Sequence, residues 1–203
     1  MKKAGAVAGN PSMSRNAFEI FEIIPNYNID LEALEDKYLQ LSQMLHPDRF
    51  VNDSDSQRIM AANKSIEIAE AYESLKSPVS RACELLNLKG IQTPQETTEQ
   101  DPEIILQTMQ DHEALDKMTD MAEAKTLHND LKNRRLHIES RFIEDLNSTD
   151  EASLLKSLNQ LRYLTKTIDR TKKKLKELIA MDLYSIGLLM RVRIALRLET
   201  TRD

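Results

Sequence analysis

The sequence predicts an all-α protein, and three observations support this class. The 203-residue chain contains only 4 Gly and 6 Pro, with 4 Phe, 5 Tyr and no Trp, a composition that favours long helices over a sheet. Apolar residues recur at spacings of three and four through most of the chain. Start and stop signals of helices flank these periodic segments. We expect a small helical domain at residues 16–90 and a three-helix bundle at residues 103–181.

The first two helices are predicted from apolar periodicity and one capping residue. Phe18, Phe21 and Ile24 indicate a short helix that ends at Pro25. Asp30 is placed to cap a second helix over residues 31–45. One face of that helix is expected to be apolar and to comprise Leu31, Leu34, Tyr38, Leu41 and Leu45.

A polar turn at residues 46–53 separates the second helix from the third. Pro47 prevents helix continuation and biases His46 toward extended geometry. Asp53 or Ser54 caps a third helix over residues 54–76, with Gln57 placed for a capping box. Its apolar face is expected to comprise Ile59, Ala62, Ile66, Ala69, Tyr72 and Leu75. Two antiparallel helices joined by this turn would present His46 and Asp48 at its tip.

The sequence also predicts the structure of the segments on either side of these helices. Ser77 and Pro78 open a fourth helix, which Gly90 closes. Residues 91–102 are polar, contain two Pro and predict a linker. Residues 1–15 predict a flexible extension, within which Met1 and Met13 are both candidate start residues.

Three further helices follow the linker. Asp101 and Pro102 start one that runs to about Lys117, and Thr119 or Asp120 starts the next. Ser148 and Glu151 predict a capping box at the start of the last helix. Short connections favour an antiparallel bundle. Residues 182–203 form a tail of unknown role, whose period-two alternation is typical of a strand but whose residues also extend the last helix. The sequence leaves both open.

Composition excludes several classes of function. The net charge is −5, and residues 16–90 carry 13 acidic and 7 basic side chains, which is no nucleic-acid footprint. No apolar run is long enough for a membrane span. A single cysteine, Cys83, excludes a disulfide framework and a four-thiolate site and indicates a reducing, cytoplasmic setting. The four His show no metal-site spacing, and the sequence has no Gly-rich phosphate loop, no nucleophile elbow and no Cys/His arrangement, so we expect no metal, no cofactor and no enzymatic activity.

Three motifs follow one another in the N-terminal domain. They read Tyr38-Leu39-Gln40-Leu41, then His46-Pro47-Asp48-Arg49-Phe50, then Ala71-Tyr72-Glu73-Ser74-Leu75. This order resembles a J-domain. Pro78 with the segment 81–86, the polar linker, a helix with an acidic and apolar face, and the segment 161–164 extend the resemblance to the HscB family. Members of that family are J-domain co-chaperones of iron–sulfur cluster biogenesis.

The resemblance implies a function in two parts. The J-domain would dock on a DnaK-type chaperone of the HscA class and stimulate its ATP hydrolysis, while the C-terminal bundle carries the iron–sulfur scaffold protein IscU to it. The expected chaperone-binding residues are His46, Pro47, Asp48, Arg49, Lys37 and Lys64. The scaffold-binding residues that the resemblance implies are Ile105, Leu106, Met109, Gln110, Glu113 and Tyr163. The alternative for this second set is that it completes the core of the bundle.

The tip suits recognition better than catalysis. Pro47 fixes the turn and so lowers the entropy that docking removes. Asp48 accepts charge-assisted hydrogen bonds from a partner's Arg, and His46 offers one donor and one acceptor. An enzyme with His46 and Asp48 as an acid–base pair would need a pocket, which a convex tip lacks.

The chain departs from the family pattern in its charges. The helix before His46 is usually basic in J-domains, but here Gln40 and Gln43 are neutral. Gln110 and Lys117 stand where acidic residues are expected. The remaining alternatives are a general J-domain co-chaperone for unfolded clients, which lacks a Gly/Phe-rich segment and zinc-ligand Cys pairs here, and a helical scaffold in which the tripeptide is accidental.

Overall fold

A computed structural model describes residues 15–94, 101–148 and 150–199, with only the backbone over 185–199. Residues 1–14 of the predicted extension and 95–100 of the predicted linker lie outside this part. The described residues contain no strand. They form α1 (Ala17–Ile20), α2 (Leu31–Met44), a 3-10 helix (Pro47–Phe50), α3 (Asp55–Lys76), α4 (Pro78–Leu88), α5 (Pro102–Lys117), α6 (Met121–Asp145) and α7 (Glu151–Glu199).

The predicted all-α class is confirmed, and the helices fall into two compact units. The division lies between Thr93 and Pro94, within the segment predicted as a linker. The N-terminal unit contains α1 to α4 and the 3-10 helix. The C-terminal unit contains α5, α6 and α7.

Side-chain caps start the helices of the N-terminal hairpin where the sequence predicts them. The Asp30 carboxylate accepts hydrogen bonds from the backbone amides of Glu32 and Ala33 at the start of α2. Ser54 and Gln57 form the capping box of α3, each accepting from the other's backbone amide. These bonds satisfy amides that have no partner within the helix, so both helix starts are fixed by local sequence.

The predicted apolar face of α3 is wrong over its first half. Ile59 and Ile66 are exposed, whereas Ile68 is buried together with Tyr72 and Leu75. At about 100° per residue, Ile59 and Ile66 lie on nearly the opposite side of the helix from Ile68. Apolar residues occupy two arcs of α3, and periodicity alone does not tell which arc faces the core. The buried face of α3 comprises Ala61, Ile68, Ala71, Tyr72 and Leu75.

The predicted length of the first helix is also wrong. α1 ends at Ile20, and Glu22 has a positive φ of 50°, which turns the chain out of the helix. Phe18 and Phe21 are fully buried as expected, but Ile24 lies beyond this turn and is exposed.

A buried guanidinium closes the corner between α3 and α4. Arg81 donates a hydrogen bond of 2.8 Å to the Leu75 carbonyl, one of the last carbonyls of α3. The same guanidinium lies over the Tyr27 ring at 4.9 Å from its centroid. Arg81 thus supplies a donor to a helix end that has few backbone partners and packs its plane against an aromatic ring.

The C-terminal unit is an up–down–up bundle. α6 runs antiparallel to α7, as the contacts His128–Thr171 and Asp145–Ser153 show. α5 and α7 run in the same direction, since Asp101 pairs with Lys156 and Asp116 with Arg170. The fully buried core side chains are Leu115, Leu131, Phe142, Leu154, Leu158 and Leu161.

The start of α7 differs from the predicted capping box, and its C-terminal part has one of the two structures that the sequence left open. The predicted capping box of Ser148 with Glu151 is wrong, because Asp150 lies directly before the helix and accepts from the amides of Ala152 and Ser153. At the other end the helix continues to Glu199, which decides between the two structures left open for the tail. Extending an existing helix adds one hydrogen bond per residue, whereas a lone strand would have no partner.

Matched isoleucines on α3 test the corrected face. Ile68 is 8% exposed and Ile66 is 57% exposed. We expect Ile68→Ala to lower the free energy of unfolding by about 3 kcal/mol, because it removes buried methyl groups and leaves a cavity. Ile66→Ala should cost under about 1 kcal/mol. Urea denaturation followed by circular dichroism measures both, and equal losses would contradict the assignment of the faces.

His128 provides a pH-dependent contribution to the C-terminal unit. Its Nδ1 lies 2.7 Å from the Thr171 hydroxyl. Burial, and then the positive charges of Lys132, Lys172 and Arg135, lower the pKa of His128. Between about pH 6.5 and the lowered pKa of the folded state, the unfolded chain therefore binds more protons at His128 than the folded chain does.

We expect the free energy of unfolding to fall as pH drops from about 6.5 toward the lowered pKa of the folded state. His128→Gln removes the titrating group and should flatten this part of the profile. The measurement is the difference in urea midpoint between variant and parent from about pH 7.5 to pH 5. A difference that does not change over this range would show that His128 has no such role.

Candidate functional site

The sequence His46-Pro47-Asp48 lies at the turn between α2 and α3 and is open to solvent. His46 has φ −59° and ψ 134°, the extended geometry expected before a proline, and Pro47 begins the 3-10 helix. The side chain of His46 is 60% exposed and that of Asp48 is 86% exposed. The turn therefore presents its polar groups outward.

A hydrogen bond within the turn orients the His46 ring. Nδ1 accepts from the backbone amide of Asp48 at 3.3 Å, which assigns the ring proton of the neutral form to Nε2. The Asp48 carboxylate lies 3.5 Å from Nδ1. The turn thus offers Nε2–H as a donor and a carboxylate as an acceptor, which suits recognition of a polar partner.

Aromatic stacking joins the two helices that carry the turn. The rings of Tyr38 on α2 and Tyr72 on α3 lie parallel with centroids 4.2 Å apart. Lys76 Nζ lies 5.0 Å from the centroid of Tyr72. Both tyrosines belong to motifs of the predicted J-domain, and the stack holds α2 and α3 side by side.

The predicted chaperone-binding cations have different surroundings. Lys37 Nζ donates to the Phe21 carbonyl at 2.5 Å and lies 3.5 Å from the Glu22 carboxylate, so this lysine fastens α2 to the end of α1. Arg49 and Lys64 are exposed. Arg49 follows the tip directly, whereas Lys64 lies in the third turn of α3.

Most of the predicted scaffold-binding residues lie on the outward face of α5. Leu106 is 59% exposed and Met109 is 64% exposed, so these two do not complete the bundle core. Gln110 and Glu113 are exposed, and Ile105 is half-buried. This outward face thus consists of two exposed apolar side chains, Leu106 and Met109, bordered by polar side chains.

Lys117 affects the charge of this outward face. Its amino group lies 2.6 Å from Glu113 and lowers the pKa of that carboxyl group. The negative charge that Glu113 offers a partner is thus partly balanced by Lys117 on the same helix, and the neutral Gln110 adds no further charge to this face.

Tyr163, the remaining predicted residue, lies elsewhere in the bundle. It lines a cleft of about 620 Å³ between α5, α6 and α7. The α5 side of this cleft is the inward face, formed by Ile104, Gln107, Thr108 and Asp111. The structure therefore does not place Tyr163 in one lining with the five outward positions of α5.

The cleft contains a polar network that was not predicted from the sequence. Asp111 is buried and accepts hydrogen bonds from Gln107 at 3.2 Å and from Arg134 at 2.8 Å. Arg134 also pairs with Asp130. The available signal was an acid at a position seven residues after Ile104 and four before Leu115, in the stripe of α5 that faces the core.

A resident metal site has no support among the described residues. They contain no group of three or more His, Cys, Asp or Glu side chains able to hold a metal ion. Within the same part of the chain, no helix has the length and apolar character that crossing a membrane requires.

Comparison with known proteins follows the same division of the chain. Residues 100–172 match the family model described as the HSCB C-terminal oligomerisation domain. The HscB homolog of Shewanella oneidensis is 31% identical over 154 residues, which cover 73% of this chain and 88% of that protein. That of Shewanella pealeana is 32% identical with the same coverage.

Solved structures agree on the fold. HscB from Vibrio cholerae has a TM-score of 0.72 at 24% identity, covering 81% of this chain and 99% of that structure. Human HscB has a TM-score of 0.73 at 22% identity, covering 85% and 94%. Jac1 from Saccharomyces cerevisiae has a TM-score of 0.62 at 25% identity, covering 79% and 96%.

The helical hairpin with its exposed His-Pro-Asp turn and the three-helix bundle define a J-type co-chaperone. The identity and coverage of the relatives make the assignment more specific. This chain belongs to the HscB co-chaperone family.

Proposed function

We propose that this protein stimulates the ATPase of a DnaK/HscA-type chaperone and delivers an IscU-type iron–sulfur scaffold to it, aiding the maturation of iron–sulfur proteins. The observation that carries the proposal is the solvent-exposed turn at His46–Asp48, held between two paired helices. Membership of the HscB family supports it. The single cysteine supports a reducing compartment, and we propose the cytoplasm as the place of action.

The proposed mechanism involves binding alone. The Asp48 carboxylate accepts hydrogen bonds from an Arg of the chaperone, and His46 Nε2–H donates to a neighbouring acceptor. Both groups start from a preformed geometry, since Nδ1 of His46 already holds the backbone of the turn. Binding then favours the hydrolytic state of the chaperone by contacting that state better than the other. This chain makes and breaks no covalent bond.

The scaffold is proposed to bind the outward face of α5. Leu106 and Met109 supply apolar contact, and Glu113 supplies a partly balanced charge. Such a face of an amphipathic helix fits an apolar surface on a folded partner. Tyr163 would take part if the bound scaffold also reaches the cleft.

The tip is tested by His46→Gln. Glutamine lacks the ring nitrogen that fixes the turn, so we expect at least tenfold weaker stimulation of ATP hydrolysis, with an unchanged circular-dichroism spectrum and unchanged scaffold affinity. His128→Gln, measured at pH 7.5, is the matched control and should stimulate normally. Undiminished stimulation by His46→Gln would reject the assignment of the tip.

The outward face of α5 is tested by Leu106→Ala with Met109→Ala. We expect scaffold affinity to fall by about one to two orders of magnitude, because two apolar anchors are truncated. Leu136→Ala removes an equally exposed leucine from α6 and should leave affinity unchanged. Calorimetry measures both affinities. A double variant that binds the scaffold like the parent would show that this surface is not the scaffold-binding site.

Two further results separate the remaining alternatives. Met109→Ala combined with Tyr163→Ala should weaken scaffold binding beyond Met109→Ala alone if the scaffold reaches the cleft. Recovery of an iron–sulfur scaffold with the tagged protein favours the HscB function, whereas recovery of unfolded clients favours a general J-domain co-chaperone.

A further inference from the structure

The C-terminal part of α7 continues beyond the core of its bundle. Among the side chains of α7 that the structure describes, which end at Tyr184, Leu178 is the last one buried in the core. The helical backbone continues to Glu199, so residues 179–199, here called the α7 extension, span about 30 Å. Residues 173–199 also lie beyond the stretch that the family model matches. The bundle core therefore does not account for the α7 extension.

Apolar side chains at the start of the α7 extension are exposed around much of the helix. The exposed residues are Ile179, Met181, Leu183 and Tyr184. At about 100° per residue, these four positions are spread over roughly 200° of the helix circumference. A second helix packs against one stripe only, so a helical partner would leave part of this apolar surface in water. A lipid interface contacts a helix along a broader arc.

The sequence of the rest of the α7 extension is apolar and basic. Residues 185–198 contain nine apolar residues, three Arg and no Asp or Glu. Asp182 and Glu199, the two acidic residues of the α7 extension, lie on either side of this stretch. An apolar segment with positive charges is typical of helices that lie in the headgroup region of a bilayer. The three Arg disfavour a position that spans the bilayer, since charge at its centre is costly.

Charge is distributed unevenly along the chain. Residues 170–203 carry nine basic and four acidic side chains, so within a total of −5 the first 169 residues have a net charge of −10. Two of the basic side chains, Arg170 and Lys172, are in ion pairs with acids of the bundle. No described residue forms an ion pair with Lys173, Lys174 or Lys176. The C-terminal part of the chain therefore has charge available for a negatively charged partner.

The acidic remainder of the chain does not prevent contact with a negative surface. Charges in water are largely screened beyond about 8 Å at physiological ionic strength. The end of the α7 extension lies about 30 Å from Leu178 along the helix. A surface that contacts this end is thus attracted by the nearby arginines and is little affected by the acidic groups of the bundle.

We propose that the α7 extension binds the surface of an anionic lipid bilayer. The exposed apolar side chains of residues 179–184 enter the boundary between headgroups and acyl chains, and Arg191, Arg193 and Arg197 bind lipid phosphate groups. A second copy of this chain is the less favoured partner, because it covers one stripe only and has no acidic residue in the same segment. This inference does not depend on the proposed co-chaperone function and adds a membrane surface as the place where the protein acts.

Flotation of the full chain with lipid vesicles tests this inference. The vesicles consist of phosphatidylcholine alone or contain roughly one phosphatidylglycerol in four lipids. Arg193→Gln with Arg197→Gln removes two cations from the α7 extension. Lys64→Gln with Lys89→Gln removes two exposed cations from the N-terminal unit and is the matched control.

At about 0.1 M salt we expect the parent to bind anionic vesicles at least about tenfold more tightly than neutral ones, because each cation near the surface is attracted to the anionic lipids. The arginine variant should bind anionic vesicles about tenfold more weakly than the parent, and the control should stay within about twofold of it. At about 0.5 M salt the difference between parent and arginine variant should shrink to about twofold.

The apolar contribution is tested by Leu183→Gln with Tyr184→Gln. This second variant replaces two exposed apolar side chains and keeps every charge. We expect about tenfold weaker binding to anionic vesicles with an unchanged circular-dichroism spectrum, because less apolar surface enters the interface.

Equal binding of the parent to the two kinds of vesicle would overturn the proposal, as would an arginine variant that binds like the parent. A parent that floats with neither kind of vesicle would also overturn it, and sedimentation of that parent as a dimer would identify a second copy of the chain as the partner.

Discussion

The pairing of α2 with α3 is the constraint on which the N-terminal unit depends. Stacked tyrosines join the two helices, and Pro47 makes it impossible for one helix to run into the other. The ten residues between the two helices must therefore reverse the chain. The 3-10 helix and the hydrogen bond from the Asp48 amide to the His46 ring restrict the backbone of this turn, and both side chains remain exposed. The exposure of the tip is thus a consequence of helix packing as much as of the polarity of its residues.

The sequence was sufficient to predict the structure wherever interactions between near neighbours in the chain determine it. Caps at Asp30 and Ser54, and the extended residue before Pro47, depend on neighbours within three positions, so they were predicted correctly. The buried face of α3 was not, because Ile59 and Ile66 make as good a stripe as Ile68 and Leu75. Only contact with α1, α2 and α4 decides between the stripes, and that contact is tertiary.

The candidate sites were predictable to different extents for the same reason. A tripeptide at a turn is exposed by its position, so the sequence alone located the tip. Whether Tyr163 and the outward face of α5 lie together depends on how the helices are rotated within the bundle. In the structure, Tyr163 lines the cleft and the outward face of α5 does not. The role of Asp111 was not predicted from the sequence, because its partner Arg134 lies on another helix of the bundle. The signal in the sequence was a charged residue at a position of α5 that apolar periodicity assigns to the core.

The length of α7 has a mechanical consequence. The helix contains 49 residues, which corresponds to roughly 70 Å, and Leu178 is the last buried core residue among the side chains of α7 that the structure describes, which end at Tyr184. Free peptides of about twenty residues fray in water, but this segment grows from a helix that the bundle has already nucleated. Its backbone continues the helix that is packed in the bundle. A group carried near its end is consequently held at a set distance along the helix from Leu178, instead of sampling the sphere that a flexible tether would allow.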